Sequence, residues 1–295
     1  MESLVRKHLP NWLAMGVKRC ISIPRFWKQV WAARRSFQKH GPSYPHPLLF
    51  IAGLPKSGTS WMESMLASYP GYKKVMPAEA IRHEQKHKGS HDYQLSEITF
   101  SQLQDALVVL KLHVRGSLHN IRLLREADVP YIVMYRDLRD VAVSHYFYVR
   151  RTPWHPEYED YSDLDVEEGL RHFGRTLLPD FVDWMRTWRE NRDREQSIEL
   201  RYEDLLNDTA GEFRRVASHF SLDTSPQTIE DIVEKHSFEN MSGGRTRGDQ
   251  DSDSFTRRGV AGDWKRHFTP ELKDQFKTHA GQLLIDFEYE TDHSW

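Results

Sequence analysis

The stretch GLPKSGTSW, residues 53–61, places a lysine, a glycine and three hydroxyls in five consecutive positions, Lys56 to Ser60. Such residues between a strand and a helix make an anion site. The first amides of the helix lack intrahelical partners, and the helix dipole favours negative charge. Gly58 allows close approach of the backbone, Ser57, Thr59 and Ser60 bring hydroxyls, and Lys56 brings a point charge. An ordinary strand–turn–helix with a capping threonine does not account for the lysine and glycine together. In the phosphate loop of nucleotide triphosphatases the lysine follows the second glycine, and here it precedes it. A triphosphatase also wants a strand-end aspartate for magnesium; Asp137 is available, but Arg136 stands before it and favours an anion contact without metal.

Three apolar runs must position this chemistry. LLFIAGLP (48–55), ALVVLKLHV (106–114) and PYIVMY (130–135) read as buried strands, and QSIELRYEDL supplies a fourth before another helix. Helical patterns follow them in SWMESMLASYPG, NIRLLREAD and LRDVAVSHYFYVRR, the first stopped by Pro70-Gly71. Alternating strands and helices predict a single α/β domain with a central parallel sheet flanked by helices. Ligands in such sheets bind beyond the carboxyl ends of the strands. Lys56, His113 and Arg136 each fall at a strand end, so three separate strands converge on one place.

The bulk numbers fit that reading. The chain has 295 residues, 38% hydrophobic and 28% charged, enough for a sizeable core. One cysteine, Cys20, excludes an internal disulfide and fits a reducing compartment. Residues 1–40 hold nine Lys/Arg against one acid, Glu2, whereas the remainder holds 32 basic and 42 acidic residues. That segment also carries Trp12, Phe26, Trp27, Trp31 and Phe37. It reads as a basic helical arm (1–45) packed on the domain (46–295), with an anionic membrane surface as the alternative partner. The apolar positions look poorly phased for a membrane face. No apolar stretch reaches the length of a membrane span, and basic residues and Pro10 interrupt any signal-peptide core, so the expected location is cytoplasmic. Nothing points to nucleic acid.

Taken in order, several stretches resemble the motifs of sulfotransferases that use 3′-phosphoadenosine 5′-phosphosulfate (PAPS). PKSGTSW is similar to their 5′-phosphosulfate loop. YRDLRDVAVSHY (135–146) resembles their 3′-phosphate segment, with Arg136 and, eight residues on, Ser144. FTRRGVAGDWKRHFT (255–269) resembles their Arg-x-Gly-x-x-Gly-Asp-Trp-Lys element, KLH (111–113) their Lys-x-His, and YEDL (202–205) a further landmark. The resemblance spans about residues 48 to 269. It implies that the opening loop holds the phosphosulfate of PAPS, that 3′-phosphoadenosine 5′-phosphate (PAP) is the product, and that no metal is needed. His113 would be the general base, Lys56 would stabilise the leaving oxygen, Lys111 would orient the sulfuryl group, and Ser144 would restrain Lys56. Arg136, Ser144, Arg257, Arg258 and Gly259 would hold the 3′-phosphate; Trp61 and Phe238 would clamp adenine, with Tyr202 and Ser237 beside it.

The acceptor is less legible. Phe147, Tyr148, Trp154, His155 and Tyr158 follow the 3′-phosphate segment, and their aromaticity suggests a small-molecule or lipid-like alcohol, phenol or amine. Residues 151–165 and 241–254 are turn-rich and read as mobile loops over the site. HEQKH (83–87), with His91 beyond it, fits the zinc-protease pattern formally. Its surroundings are polar and Gly89-Ser90 would break a helix, so surface or a loop near the acceptor mouth is expected instead. Two departures from the family pattern stand out. Leu112 lies where threonine is common, and KRHFTPELKD has Pro270 and Asp274 at fixed positions of the usual dimer element, so a monomer or another dimer mode is expected. Two rival functions are an ATP-dependent phosphate-loop kinase or hydrolase and a non-catalytic nucleotide-binding protein at a membrane surface.

Overall fold

The computed structural model describes residues 10–87, 93–252, 254 and 256–295. Five strands form one sheet: β1 (Leu48–Gly53), β2 (Lys73–Val75), β3 (Val108–Leu112), β4 (Tyr131–Tyr135) and β5 (Ser197–Arg201). Their order is β2-β3-β1-β4-β5 and every pairing is parallel. β2 escapes sequence reading because it is three residues long and begins with two exposed lysines. Lysines of this kind suit an edge strand, where they discourage further pairing.

Both faces of the sheet are covered, and the side chains alternate between two cores as a pleated strand requires. Leu48, Phe50 and Ala52 of β1 join Val108 and Leu110 of β3 and Tyr131 and Val133 of β4 on one side. Leu49 and Ile51 join Val109, Ile132 and Met134 on the other. The helices take labels in chain order from α1 (Asn11–His40). The second side is closed by α2 (Thr59–Leu66), α11 (Thr209–His219) and α12 (Pro226–Lys235). The first is closed by α1, α5 (Leu118–Glu126), α6 (Leu138–Arg150), α8 (Val166–Thr176), α9 (Leu178–Asn191) and α14 (Pro270–Asp286). Shorter helices, α3 (Ala78–Lys86), α4 (Glu97–Ser101), α7 (Tyr158–Tyr161), α10 (Tyr202–Asn207) and α13 (Phe238–Ser242), link these. Pro270, the departure in the dimer element, is the first residue of α14, where a missing amide proton costs nothing.

Register decides where the chemistry lands. Ala52 lies opposite Leu112, and Gly53 opposite Met134. The residues just past these strands are therefore neighbours at the carboxyl end of the sheet: the 54–58 loop, His113 and Arg136.

Two expectations change here. Residues 151–165 are a packed segment rather than a mobile loop: Thr152, His155, Glu157 and Tyr161 are buried, and α7 lies within it. The Thr152 hydroxyl donates to Tyr148 O at 2.6 Å and the Tyr146 hydroxyl donates to Leu164 O at 3.0 Å, which ties the segment to α6. His83 to Lys86 of HEQKH lie in α3 and His87 is its C-cap, with the His83 and His87 rings stacked 4.3 Å apart. Among the described residues no group of three or more His, Cys, Asp or Glu side chains could hold a metal ion. His91 lies outside the described residues.

Candidate active site

A cavity of about 510 Å³ opens over the carboxyl ends of β1, β3 and β4. Its floor is the 54–58 loop. The Leu54 amide donates to Met134 O at 2.8 Å, which fastens the loop to β4. Lys56 and Gly58 both have positive φ, 66° and 82°, so the chain turns sharply upward before α2. Only glycine fits at 58, because a Cβ there would lie 2.8 Å from Cδ2 of Tyr202. The first amides to find a helical carbonyl are those of Trp61 and Met62, both onto Gly58 O. The amides of Gly58, Thr59 and Ser60 therefore stand at the mouth of the helix, where an anion is favoured.

Ser57 corrects the sequence reading. Its amide and hydroxyl both donate to Leu54 O, at 3.3 and 2.7 Å, and the hydroxyl also reaches Met134 O at 3.3 Å. It is fully buried and shapes the loop instead of lining the cavity.

Three cations crowd this floor. Lys111 Nζ donates to Ser60 Oγ at 3.2 Å. The buried guanidinium of Arg136 donates to Lys56 O at 3.3 Å and Val260 O at 3.0 Å, and stacks 4.2 Å above the Tyr202 ring. Lys56 Nζ sits 3.8 Å from the centre of the Tyr148 ring. Its surface touches the cavity, but the surrounding protein shields it from bulk water. That desolvation, followed by Arg151, Arg136, Lys111 and Arg257, holds Lys56 well below the ordinary lysine range. Each of these costs would be relieved by an anion.

His113 lies at the end of β3. Its Nδ1 is 2.5 Å from Gly53 O, a carbonyl that can only accept. Nδ1 therefore carries the proton, and Nε2 is the basic nitrogen of the neutral ring. A backbone carbonyl of the central strand thus fixes both the tautomer and the orientation of the ring.

A second basic cluster comes from residues 256–269. Arg257 and Arg258 both contact the Asp263 carboxylate. Burial opposes the charge on Asp263, but His267 Nε2 3.7 Å away, the hydrogen-bonded Arg257 and both guanidinium charges hold it well below the usual carboxylate range. The Arg257 guanidinium lies 4.6 Å over the ring of Phe147. Gly259 has φ 64°, and a Cβ there would lie 2.3 Å from Cδ2 of Phe238. The cluster is strapped to α6 by Asp140, whose carboxylate accepts from the amides of Gly262 at 2.7 Å and Trp264 at 2.9 Å. In the other stretch expected to be mobile, 241–254, Arg245 gathers the carbonyls of Asp249, Thr256 and Arg257 onto one guanidinium.

The cavity brings together Lys56, Gly58, Thr59, Ser60, Trp61, Lys111, His113, Arg136, Ser144, Tyr148, His155, Tyr202, Phe238, Arg257, Arg258 and Gly259. Trp61 is anchored by its indole donating to His236 O at 2.8 Å. Ser237 is the N-cap of α13, accepting from Asn240 at 3.3 Å, and stands next to the lining rather than in it. Phe147, Trp154 and Tyr158 do not line the cavity. Phe147 is turned about 100° around α6 from Tyr148, as adjacent helical residues are, and it backs Arg257 instead.

Sequence reasoning missed much of the opposite wall. Lys18, Ser22 and Arg25 of α1 and Leu177 and Phe181 line it, beside His83 and Glu84 from the HEQKH stretch, expected at the surface or near the acceptor mouth. Lys18 pairs with Glu84 at 3.6 Å. The 18, 22, 25 spacing is that of one helical face and was the available signal. A buried polar group sits among them: His145 Nε2 is 3.2 Å from Glu157 Oε2, and the His155 ring stands edge-on to His145. The Glu157 amide donates to His155 Nδ1 at 3.3 Å. Burial, then the nearby His145, push the His155 ring down to about 4, so it is neutral at physiological pH.

With this geometry in hand, comparison with known proteins is decisive for class. Residues 46–288 match the sulfotransferase domain, and the chain belongs to the sulfotransferase family. It is 25% identical to human sulfotransferase 1C2 over 261 residues, covering 83% of this chain and 84% of that protein. It is 25% identical to mouse sulfotransferase 1E1 over 260 residues, covering 81% and 83%. The fold is similar to that of mouse sulfotransferase SULT7A1 crystallised with PAP, with a TM-score of 0.60, 18% identity and coverage of 87% of this chain and 95% of that one. Retinol dehydratase, crystallised with androsterone and PAP, matches with a TM-score of 0.60, 20% identity and coverage of 85% and 86%.

Proposed function

We propose that this protein moves the sulfuryl group of PAPS onto a hydroxyl or amine of a small, largely apolar acceptor, releasing PAP. The observation that carries the reading is the meeting of Lys56, Lys111, Arg136 and His113 at three adjacent strand ends. A desolvated lysine ringed by further cations fits a ligand with two anionic ends. The helix-mouth amides, Thr59, Ser60 and Lys56 suit the phosphosulfate; Arg136, Ser144, Arg257, Arg258 and the Gly259 amide suit the 3′-phosphate. Trp61 and Phe238 offer faces for adenine, with Tyr202 and Ser237 at its edge. The residues present therefore fit PAPS, whose transferable sulfuryl group supplies the chemistry when it is bound.

In this reading His113 Nε2 accepts the acceptor's proton as the new oxygen–sulfur bond forms. Lys56, its charge favoured by the anion, donates to the oxygen left on the phosphate as the old sulfur–oxygen bond breaks. Lys111, steadied by Ser60, aligns the sulfuryl oxygens, and Ser144 engages Lys56 before an acceptor arrives, which limits hydrolysis. No step calls for a metal. A base placed in this way contributes roughly 10²–10⁴ in rate. The acceptor wall joins apolar Met76, Leu177 and Phe181 to polar Lys18, Glu84, His155 and Glu157, which suits a lipid-like or phenolic acceptor carrying a second polar group. We therefore count α1 as part of the working site, although the domain match begins after it.

Thermal stabilisation by PAP, compared with ADP and magnesium, tests the nucleotide. Stabilisation by ADP–magnesium alone would return the protein to the ATP-dependent class. Transfer of labelled sulfate from PAPS across hydroxylated metabolites and lipids tests the reaction, and no transfer to any acceptor or to water would overturn it.

A further inference from the structure

One stripe of α1 is committed to the protein: Ala14, Ser22, Phe26, Val30 and Ala33 are buried, and Phe26, Val30 and Ala33 belong to the main core. A second apolar set faces outward. Trp12 is 69% exposed, Trp31 63% and Trp27 48%, with Leu13, Ile21 and Ile23 also exposed. Trp27, Trp31 and Arg35 follow one another at four-residue intervals, which stacks them along one side of the helix. Phe26, Val30 and Ala33, spaced by four and three, make the separate buried stripe. The apparent poor phasing of the sequence arises because α1 carries two apolar surfaces, one for the core and one for the outside.

Charge says what covers the outer surface. Asn11–His40 contains seven Lys/Arg and no acidic residue. Lys28, Arg35 and Lys39 are exposed, and the Arg35 guanidinium lies 5.7 Å over the Trp31 ring. Among the described residues no helix is long and apolar enough to cross a membrane. We infer that α1 lies along the surface of an anionic membrane, its exposed tryptophans in the headgroup region and Lys28, Arg35 and Lys39 against acidic lipid. The same helix lines the acceptor wall through Lys18, Ser22 and Arg25, so membrane docking would hold that wall beside the lipid surface.

The test is sedimentation of the full-length protein with phosphatidylcholine vesicles, with and without one third phosphatidylserine. The double variant Trp27→Glu/Trp31→Glu changes exposed side chains outside the cavity. Thermal stabilisation by PAP serves as the check on folding, and it also separates failure here from failure of the sulfotransferase reading. The expected result is binding to the acidic vesicles, falling roughly tenfold or more from low to molar salt and lost in the double variant. Intact protein that stays in solution with both vesicle types overturns the inference. Equal binding to both overturns the charge argument. A dimer in light scattering that the double variant dissociates would assign the face to a second copy of the chain and overturn it as well.

Discussion

Lys56 should take up a proton when the nucleotide binds. Without nucleotide, desolvation and four neighbouring cations hold its ammonium below the ordinary lysine value of about 10.4. A polyanion seated on the helix-mouth amides would oppose that depression and favour the charged form. Uptake is confined to the pH window between the lowered value and the restored one. Within that window affinity for PAP falls about tenfold for each unit rise in pH, because one proton is bound with the ligand. Below the window Lys56 is already charged and the slope vanishes. For stability the sign is opposite. In the same window the unfolded chain binds the proton that the fold without nucleotide does not, so that fold gains stability as pH rises toward the ordinary lysine value. The assay is titration calorimetry of PAP at about pH 8, above the second phosphate ionisation near 6, in buffers of differing ionisation enthalpy. The expected result is net proton uptake on binding that disappears in Lys56→Met. Binding enthalpy independent of buffer, or equal uptake in the variant, would refute the argument that this lysine is depressed by burial and its neighbours.

Three further outcomes follow from the geometry. If the ring serves as the proposed base and makes no phosphate contact, His113→Ala should lower turnover by roughly 10²-fold or more while PAP affinity stays within about twofold; normal turnover would remove the histidine from the reaction. Arg257→Ala should weaken PAP binding by roughly 10- to 150-fold, the loss of one charge-assisted contact worth about 1.5–3 kcal/mol, and unchanged affinity in calorimetry would remove it from the phosphate site. Gly58→Ala should cost about 1 kcal/mol or more in stability and displace the Tyr202 ring, and a variant with native melting temperature and native PAP affinity would contradict the tight turn at that position.

The apolar runs of β1, β3 and β4 make most of the fold legible in the sequence. A buried parallel strand is written as an uninterrupted hydrophobic segment, so the residue that follows it can be placed from the pattern alone. Lys56, His113 and Arg136 are located in that way. β2 carries no such mark, being short and led by lysines. Ser57 eludes the pattern because a sequence does not say which hydroxyl of a loop turns inward to its own carbonyls. On the acceptor side the difficulty is of another kind. Tyr148 and His155 line the cavity while Phe147, Trp154 and Tyr158 do not, since aromatic residues pack a core as readily as they line a pocket. The contribution of α1 is obscured because its basic side chains read as solvated surface, although Lys18 and Arg25 share a face with Ser22.

Asp140 couples the two basic clusters. Its two oxygens clasp the amides of Gly262 and Trp264, while its own helix carries Ser144 and begins just after Arg136. The segment bearing Arg257 and Arg258 is thereby pinned to the helix that carries Ser144. The Arg136 guanidinium, donating to Val260 O, and the Phe147 ring beneath Arg257 join the same two segments, so Asp140 is one of three ties between them.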